Sequence, residues 1–552
     1  MTQPEAPTFA RGLAIYQRGD LAAAEAILSN ITGRQSNFDT LWLRGIIALR
    51  TGRAAQAAGL IQAAVALQPG VPEAHSTLAH ALLLMGQAEP ALAQCDRAIE
   101  LRPDCVEAHI NRGHALRGLN RPGDALASFD LAIALRPDEA DAYVNRGTIL
   151  RELRRHDEAL SSYDTAIALR PGFAEAHNNR GNALEDLGRY EEALHAFDAA
   201  LRSRPDNPST HATRGKVLHD LHRHEAALAS FARAIALRPD YADAHWNLSL
   251  CQLAMGDFRS GWRTYEWRWK ASAGLTRPEL PGPLWLGDFP IDGKTIIVRA
   301  EQGLEDSLQF CRYVPLLAAR ANLVLQVQPL LTRLLATLDG APRVIAPGDP
   351  LPAFDAWIPM MSLPLAFGTT VETIPAAIPY LRADPERSAF WKNRVSALPG
   401  RKIGLVWAGA PRPEIPRANA IDQRRSMPQA AFAPLASIPG LCLISLQKGE
   451  ACKSAPPAGM ALRDWTNELN DFADTAALID ALDLVISVDT SVAHLAGALG
   501  KPVWVLNRYD QCWRWLRDRT DSPWYPTARL FRQPEPGDWS SVIRDVAALL
   551  RR

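Results

Sequence analysis

The sequence predicts an α-helical solenoid over residues 1–271 followed by two α/β units, each built on a parallel sheet. Three observations carry this. Prolines fall at 69, 103, 137, 171, 205 and 239, at intervals of 34 residues. From residue 294 the periodicity changes to short β-branched runs separated by helix-length segments. A charged, turn-rich break at 381–400, LRADPERSAFWKNRVSALPG, parts those runs into two sets. With 552 residues, 47% of them hydrophobic and 22% charged, the chain has a globular composition.

In the 34-residue frame, repeats start at about 38, 72, 106, 140, 174 and 208, an altered unit starts near 242, and a degenerate one precedes 38. This makes seven to eight repeats, the first and last irregular. Gly45, Ala79, Gly113, Gly147, Gly181 and Gly215 form one column of small residues, where the first helix of a pair approaches the second. Ala57, Ala91, Ala125, Ala159, Ala193 and Ala227 form another, on the second helix. Phe129, Tyr163, Phe197 and Phe231 are expected to fill the gap to the next repeat. The periodic proline ends the second helix, because it lacks an amide donor and clashes with the preceding turn. One helix pair cannot bury its apolar face alone, so the pairs stack into a superhelix with a concave surface. The period and pattern resemble the tetratricopeptide repeat, which implies that the region binds a protein or peptide.

Asn111, Asn145, Asn179 and Asn247 recur in one column, two residues before the small-residue column. A row of carboxamides can grip a peptide backbone through paired donors and acceptors. It is also a common feature of repeats of every function. The row is similar to the asparagine ladder of eukaryotic protein O-GlcNAc transferase, a resemblance that makes these four the candidate acceptor-binding residues. Beside it run Arg112, Arg146, Arg180 and Arg214, which either attract acidic segments or pair with acidic residues of adjacent repeats. The solenoid is expected to close near Asp257–Lys270, where Trp262, Trp267 and Trp269 cap its last apolar face, and residues 272–285 read as a linker.

The apolar runs of the α/β region are Thr295–Val298, Leu323–Val327, Arg343–Ile345 and Ala356–Ile358, then Ile403–Trp407, Leu441–Leu446, Leu484–Val488 and Val503–Leu506. They predict Rossmann-like halves at 286–390 and 391–552. Two such domains facing across a cleft make the GT-B arrangement of many sugar-nucleotide transferases. Ligands of open α/β sheets lie beyond the carboxyl ends of the strands, so the loops there hold the candidates. Asp306 stands where the loop after the first strand turns into a helix; it is a helix cap or a general base. Asp489 ends a later strand, Thr490 and Ser491 open a helix, and His494 lies one turn in. A helix start with free amides favours an anionic phosphate, although Asp, Ser and Thr there also serve as caps. Lys448, in SLQKG, neutralises a diphosphate or is one more exposed lysine, and Arg425 with Ser426 follows the strand at 403–407.

The order AEQGLEDSLQF, SLQK, DFADTAALI, SVDTSVAHLAGALGKP, WRW and DSPWYP resembles bacterial glycosyltransferases fused to tetratricopeptide repeats, whose catalytic part is similar to the heptosyltransferase family, glycosyltransferase family 9. The resemblance covers about 284–552 and, with the repeats, nearly the whole chain. It implies a GT-B fold and inverting, metal-independent transfer from a nucleotide sugar, with no further cofactor. Asp306 falls on the family's catalytic aspartate; Asp489, Thr490, Ser491 and His494 on its nucleotide-diphosphate motif; Lys448 near its basic phosphate position. The fusion implies a protein acceptor held by the repeats, a Ser/Thr hydroxyl of flagellin or another surface protein. The alternatives are a lipid-linked saccharide acceptor, or a non-catalytic scaffold with a decayed transferase fold. The family's loop reads G-L-G-D where this chain has Gly303-Leu304-Glu305-Asp306, so either the loop is rearranged, or Glu305 swings out, or activity is reduced. Ser491 also replaces a family glycine.

Other features narrow the reading. Lys+Arg and Asp+Glu are both 60, a balance that argues against a nucleic-acid binder. No apolar run approaches the roughly 18 residues of a membrane span, and the N-terminal residues lack a leader pattern. Seven scattered cysteines form no CxxC pair, which fits reduced thiols and a cytoplasmic protein. Gly293-Lys294-Thr295 is not a phosphate loop, since five residues part it from Gly287 and it enters a strand. Residues 280–552 contain no DxD pair. The histidines at 75, 109, 177, 211 and 245 share a repeat column and are not metal ligands; Trp513-Arg514-Trp515 and Pro523–Pro526 read as packing, with Arg514 a further phosphate candidate.

Overall fold

The computed structural model describes residues 5–31, 37–272, 275–340, 342–452, 456–457, 459–510 and 512–552. Ala273 and Gly274 of the expected linker, and residues 1–4 and 32–36 of the expected solenoid, lie outside these. The chain forms two compact units, Met1–Val217 and Leu218–Arg552, which divide within the helix Pro208–Asp220.

The first unit is a stack of antiparallel helix pairs. Glu5–Gln17 and Leu21–Leu28 come first. Phe38–Arg50 then pairs with Ala54–Leu67, Pro72–Leu84 with Ala88–Leu101, and Val106–Gly118 with Pro122–Leu135. Ala140–Glu152 pairs with His156–Leu169, and Ala174–Asp186 with Tyr190–Ser203. Alanine-rich second helices such as AAQAAGLIQAAVAL have high intrinsic propensity and a thin buried face. The glycine column is sterically required. A Cβ at Gly113, Gly147 or Gly181 would lie 2.5–2.6 Å from the ring of Phe129, Tyr163 or Phe197. The aromatics therefore fill the dimple that the glycine leaves within their own repeat. Four of the periodic prolines also present a carbonyl that the column histidine binds: His75, His109, His177 and His211 donate from Nε2 to Pro69, Pro103, Pro171 and Pro205 at 2.8–3.0 Å. The arginine row is internally paired, Arg112 with Asp96, Arg146 with Asp130, Arg180 with Asp164 and Arg214 with Asp198, at 2.6–2.8 Å.

The second unit begins with the last solenoid helices, His224–Leu237, Ala242–Ala254 and Phe258–Tyr265, and a 3₁₀ turn at Glu266–Trp269. Two parallel sheets follow. The first contains β1 (Thr295–Arg299), β2 (Asn322–Gln326), β3 (Arg343–Ile345) and β4 (Ala356–Pro359), in the order β3-β2-β1-β4. The second contains β5 (Arg401–Val406), β6 (Leu441–Ser445), β7 (Leu462–Asp464), β8 (Leu484–Val488), β9 (Val503–Asn507) and β10 (Ala528–Arg532), in the order β10-β9-β8-β5-β6-β7. The chain moves outward one way through β6 and β7 and returns to the other side of β5 with β8, so the switch point lies between β5 and β8.

The units divide upstream of residue 271 because the solenoid's end is plugged into the α/β core. Phe258 stacks on Trp524 at 5.8 Å, and Trp262 meets Trp513 edge-on at 5.2 Å and Phe310 at 5.8 Å. These rings share one buried cluster with β1, β2, β4 and the helix Ser491–Ala498.

Candidate active site

β1 is a buried run, TIIVR, that delivers the chain to the loop Ala300–Gly303. The helix Leu304–Phe310 follows, and Asp306 sits in its first turn. The Gly303 amide donates to Asp306 Oδ2 at 2.8 Å, so this carboxylate does cap the helix. Its second oxygen faces the other α/β half, where Arg514 Nη2 donates to Oδ1. The remaining donors of Arg514 reach Gln309 Oε1 at 2.8 Å and Cys512 Sγ at 3.0 Å. Asp306 is 7% exposed. Burial raises its pKa above the usual carboxylate value, with the Arg514 charge opposing that rise.

At the end of β8, Asp489 lies 3.6 Å from His494 Nε2 and its backbone carbonyl accepts from Arg425 Nη1 at 3.1 Å. Burial works to raise its pKa, but His494, Arg425 and Arg514 outweigh that and hold the carboxyl well below the usual range. His494 is fully enclosed. Its Nδ1 shares a 2.9 Å hydrogen bond with the Tyr525 hydroxyl, and its ring stacks on Trp515 at 5.1 Å. It thus stands behind Asp489, close to its carboxylate, and does not reach solvent. Tyr525 packs closely because the helix Ser491–Ala498 carries Gly497 there; a Cβ would lie 2.4 Å from the ring. Thr490 is the extended N-cap residue of this helix, and its hydroxyl pairs with Ser487 Oγ at 3.0 Å. Ser491 is half-buried at the helix start.

Arg425 ends the helix Pro416–Arg425 beyond β5 and is nearly enclosed, its Nε donating to Asp422 Oδ1 at 3.0 Å. Burial opposes its charge, and Glu305, Asp489 and Asp422 together outweigh burial to raise its pKa. Glu305 is therefore an electrostatic partner of Arg425. Its carboxyl folds back over the preceding turn, 2.6 Å from where a Gly303 Cβ would stand. Gln447, buried at the end of β6, accepts from the Trp407 and Ala408 amides at 3.0 and 2.9 Å and fixes the loop after β5. Ser426 Oγ accepts from the Gly409 amide at 3.1 Å. Lys448 does not join this group: it is exposed, and its ammonium donates to the Leu469 carbonyl.

A second buried network supports the Asp306 loop. Arg268, with no exposed surface, donates to Glu266 at 2.6 Å, Ser362 at 2.7 Å and Glu301 at 3.2 Å. Burial pushes the Glu301 carboxyl up to about 7 despite the adjacent arginine.

The structure thus gathers Asp306, Asp489, His494 and Arg425, with Thr490 and Ser491 at the neighbouring helix start. In the repeats, Asn111 spends its amide on Ser76, donating to the carbonyl at 3.1 Å and to Oγ at 3.2 Å. Asn179 Oδ1 accepts from Asn178 at 3.3 Å. Asn145 of the first unit and Asn247 of the second are half-buried. Arg514, a secondary phosphate candidate in the sequence, joins the site through Asp306, whereas Tyr525, Trp515 and Glu301 are not candidates there. The W-R-W and W-Y-P runs were the signal for the first three; they read as packing, and their packing partner is the site itself.

Residues 469–529 match the glycosyltransferase family 9 (heptosyltransferase) family model. Tetratricopeptide-repeat models match residues 9–72 and 144–208, 48–115, 106–139 and 215–256. Tetratricopeptide repeats therefore run through the N-terminal region, and a family 9 segment spans the end of the Asp489 sheet. Protein FlbA of Caulobacter vibrioides is 31% identical over 327 residues, which cover 54% of this chain and 53% of that protein. The chain spans about half the length of this curated relative. Among solved structures, a tetratricopeptide repeat protein from Parabacteroides merdae is 18% identical with a TM-score of 0.39, covering 45% of this chain and 99% of its own. The APC/C hetero-tetramer Cut9–Hcn1 is 16% identical with a TM-score of 0.39, covering 44% and 48%.

Proposed function

We propose that the chain is an inverting glycosyltransferase that moves a sugar from a nucleotide sugar to a Ser/Thr hydroxyl of a protein held by its repeats, with flagellin or another surface protein as acceptor. The reading rests chiefly on one observation: a buried carboxylate from one α/β half, Asp306, is ion-paired to Arg514 of the other, beside Arg425 and the helix start at Ser491.

The donor diphosphate would lie at that helix start, where the amides and helix dipole favour an anion and Arg425 and Arg514 supply positive charge. As Arg514 turns to the diphosphate it leaves Asp306 Oδ1 free. Asp306 then takes the proton of the acceptor hydroxyl as its oxygen attacks the anomeric carbon from the face opposite the leaving nucleoside diphosphate. A raised Asp306 pKa suits this role, since a stronger base accepts the proton more readily. His494 and Tyr525 keep Asp489 oriented beneath the phosphates.

A second reading, a non-catalytic scaffold, draws on Glu305, whose negative charge acts on Arg425 where a donor phosphate would. A thermal-shift and hydrolysis screen against UDP-, GDP-, ADP- and CMP-sugars separates the two. Stabilisation by one nucleotide sugar, lost in Asp489→Ala and enhanced in Glu305→Gly, supports the transferase. Absence of any shift, in the native chain and in Glu305→Gly alike, supports the scaffold.

A further inference from the structure

Where the solenoid meets the α/β core within the second unit, three donor side chains converge. His219 Nδ1 and His224 Nδ1 are 3.0 Å apart, and Cys251 Sγ is 3.7 Å from His224 Nδ1. All three donor atoms lie within 4.8 Å of one another. His224 and Cys251 are buried.

The repeat pattern makes this cluster conspicuous. One repeat earlier the equivalent positions hold Glu185, Tyr190 and Val217, and two repeats earlier Arg151, His156 and Ala183. Only at the last full repeat do two imidazoles and a thiol replace residues that could not act together. Two of their spacings, 3.0 Å between the nitrogens and 3.7 Å from His224 to sulfur, lie near a metal's demands, and the third atom pair needs to close from within 4.8 Å. Bonds of about 2.0–2.1 Å to nitrogen and about 2.3 Å to sulfur put N···N near about 3.4 Å and N···S near about 3.6 Å in a tetrahedral site. The adjoining cavity is lined in addition by Asp220, Asp510, Cys512 and Arg517, so carboxylates, a thiol and a guanidinium border the cluster.

We propose that His219, His224 and Cys251 bind a thiophilic d¹⁰ cation, Zn²⁺ or Cu⁺. Two imidazoles with one thiolate suit these ions over Mg²⁺ or Ca²⁺, which demand oxygen ligands. On binding, the Cys251 thiol loses its proton to solvent and the metal–sulfur bond forms; no electron is transferred. The ion would lock the turn at His222, whose Nε2 donates to the Tyr509 carbonyl at 2.9 Å, to the loop that leads into Arg514.

The test uses the full chain, stripped with chelator and titrated with Co²⁺ as a probe. One Co²⁺ per chain, with a thiolate-to-metal charge-transfer band and stoichiometric displacement by Zn²⁺, is the expected result. Uptake of one Cu⁺ against a chromogenic competitor, without Co²⁺ or Zn²⁺ binding, selects the copper form. Cys251→Ala should lose the band and bind at least tenfold more weakly. It should fold normally, because Ala115 and Ala183 fill the same column in other repeats. His219→Ala should weaken binding similarly while retaining the band. Failure of the native chain to take up either ion, or unchanged uptake in a folded Cys251→Ala, would overturn the proposal and leave only a His–His hydrogen bond.

Discussion

Glutamate 301 offers a direct reading of how burial shapes this site. Its side chain is 3% exposed; Oε1 accepts from the Met361 amide and from Arg268, both at 3.2 Å, while Oε2 has no hydrogen-bond partner among the described residues. Its pKa rises from an ordinary 4.5 to about 7. At about 1.4 kcal/mol per tenfold change, that rise is worth about 3 kcal/mol. A folded-state pKa above the unfolded one means that stability is fully present below the unfolded value and is lost as pH rises through the folded value. Between pH 5 and pH 8, Glu301 should therefore remove about 2.5 kcal/mol of stability from the native chain. Glu301→Gln, which cannot ionise, should escape this loss. Urea unfolding at a series of pH values measures it. Of the chain's 15 tryptophans only Trp42 precedes residue 218, so intrinsic fluorescence follows the second unit almost alone. Parallel pH profiles for the native chain and the variant would refute the reasoning, and would mean that Arg268 holds Glu301 ionised throughout.

Three further outcomes are expected. Asp306→Asn should lower kcat/KM by about 10²–10⁴ while leaving the nucleotide-sugar thermal shift in place, and in the native enzyme the acid limb of the pH–rate profile should lie above about 3.9, the ordinary aspartate value; equal loss of donor binding would make Asp306 a structural cap only. His494→Gln should weaken donor binding about tenfold without unfolding the protein, because Asp489 loses the partner that orients it, much as an outer partner steadies a ligating group; titration calorimetry with the nucleotide sugar is the check. Gly181→Ala should destabilise the first unit by about 1–3 kcal/mol, since the new Cβ must displace the Phe197 ring, and this outweighs the gain of about 1 kcal/mol in helix propensity; a raised unfolding midpoint by circular dichroism would contradict it.

What could be read from the chain follows the range of the interactions. The repeats were legible because their causes are local: the proline, the glycine and the aromatic sixteen residues on belong to one hairpin. Two strands escaped notice. β7 is three residues long at a sheet edge with its last two residues exposed, and β10, ARLFR, is a short run broken by two arginines at the opposite edge. Neither forms the continuous apolar run that marks a central parallel strand. In the site, Asp489, Thr490 and His494 lie within six residues and announced themselves as a motif. The pairing of Arg514 with Asp306 did not, because the two stand 208 residues apart and only the packing of two sheets joins them. Lys448 shows the reverse: its place after a strand is legible, but the direction of its flexible stem, toward the Leu469 carbonyl, is decided by neighbours outside any local window.

The division of the chain at Val217 changes how the protein should be taken apart. Scissors guided by the glycine- and proline-rich stretch after Lys270 would cut where the sequence looks loose, yet they would pull Phe258 and Trp262 out of the rings of Trp513, Trp524 and Phe310. The severed α/β half would display a wet aromatic socket, and the severed solenoid a greasy plug; both pieces would be prone to clump. Swapping one array of repeats for another calls for a seam before residue 218, so that the last helices travel with the two sheets as part of their own interior.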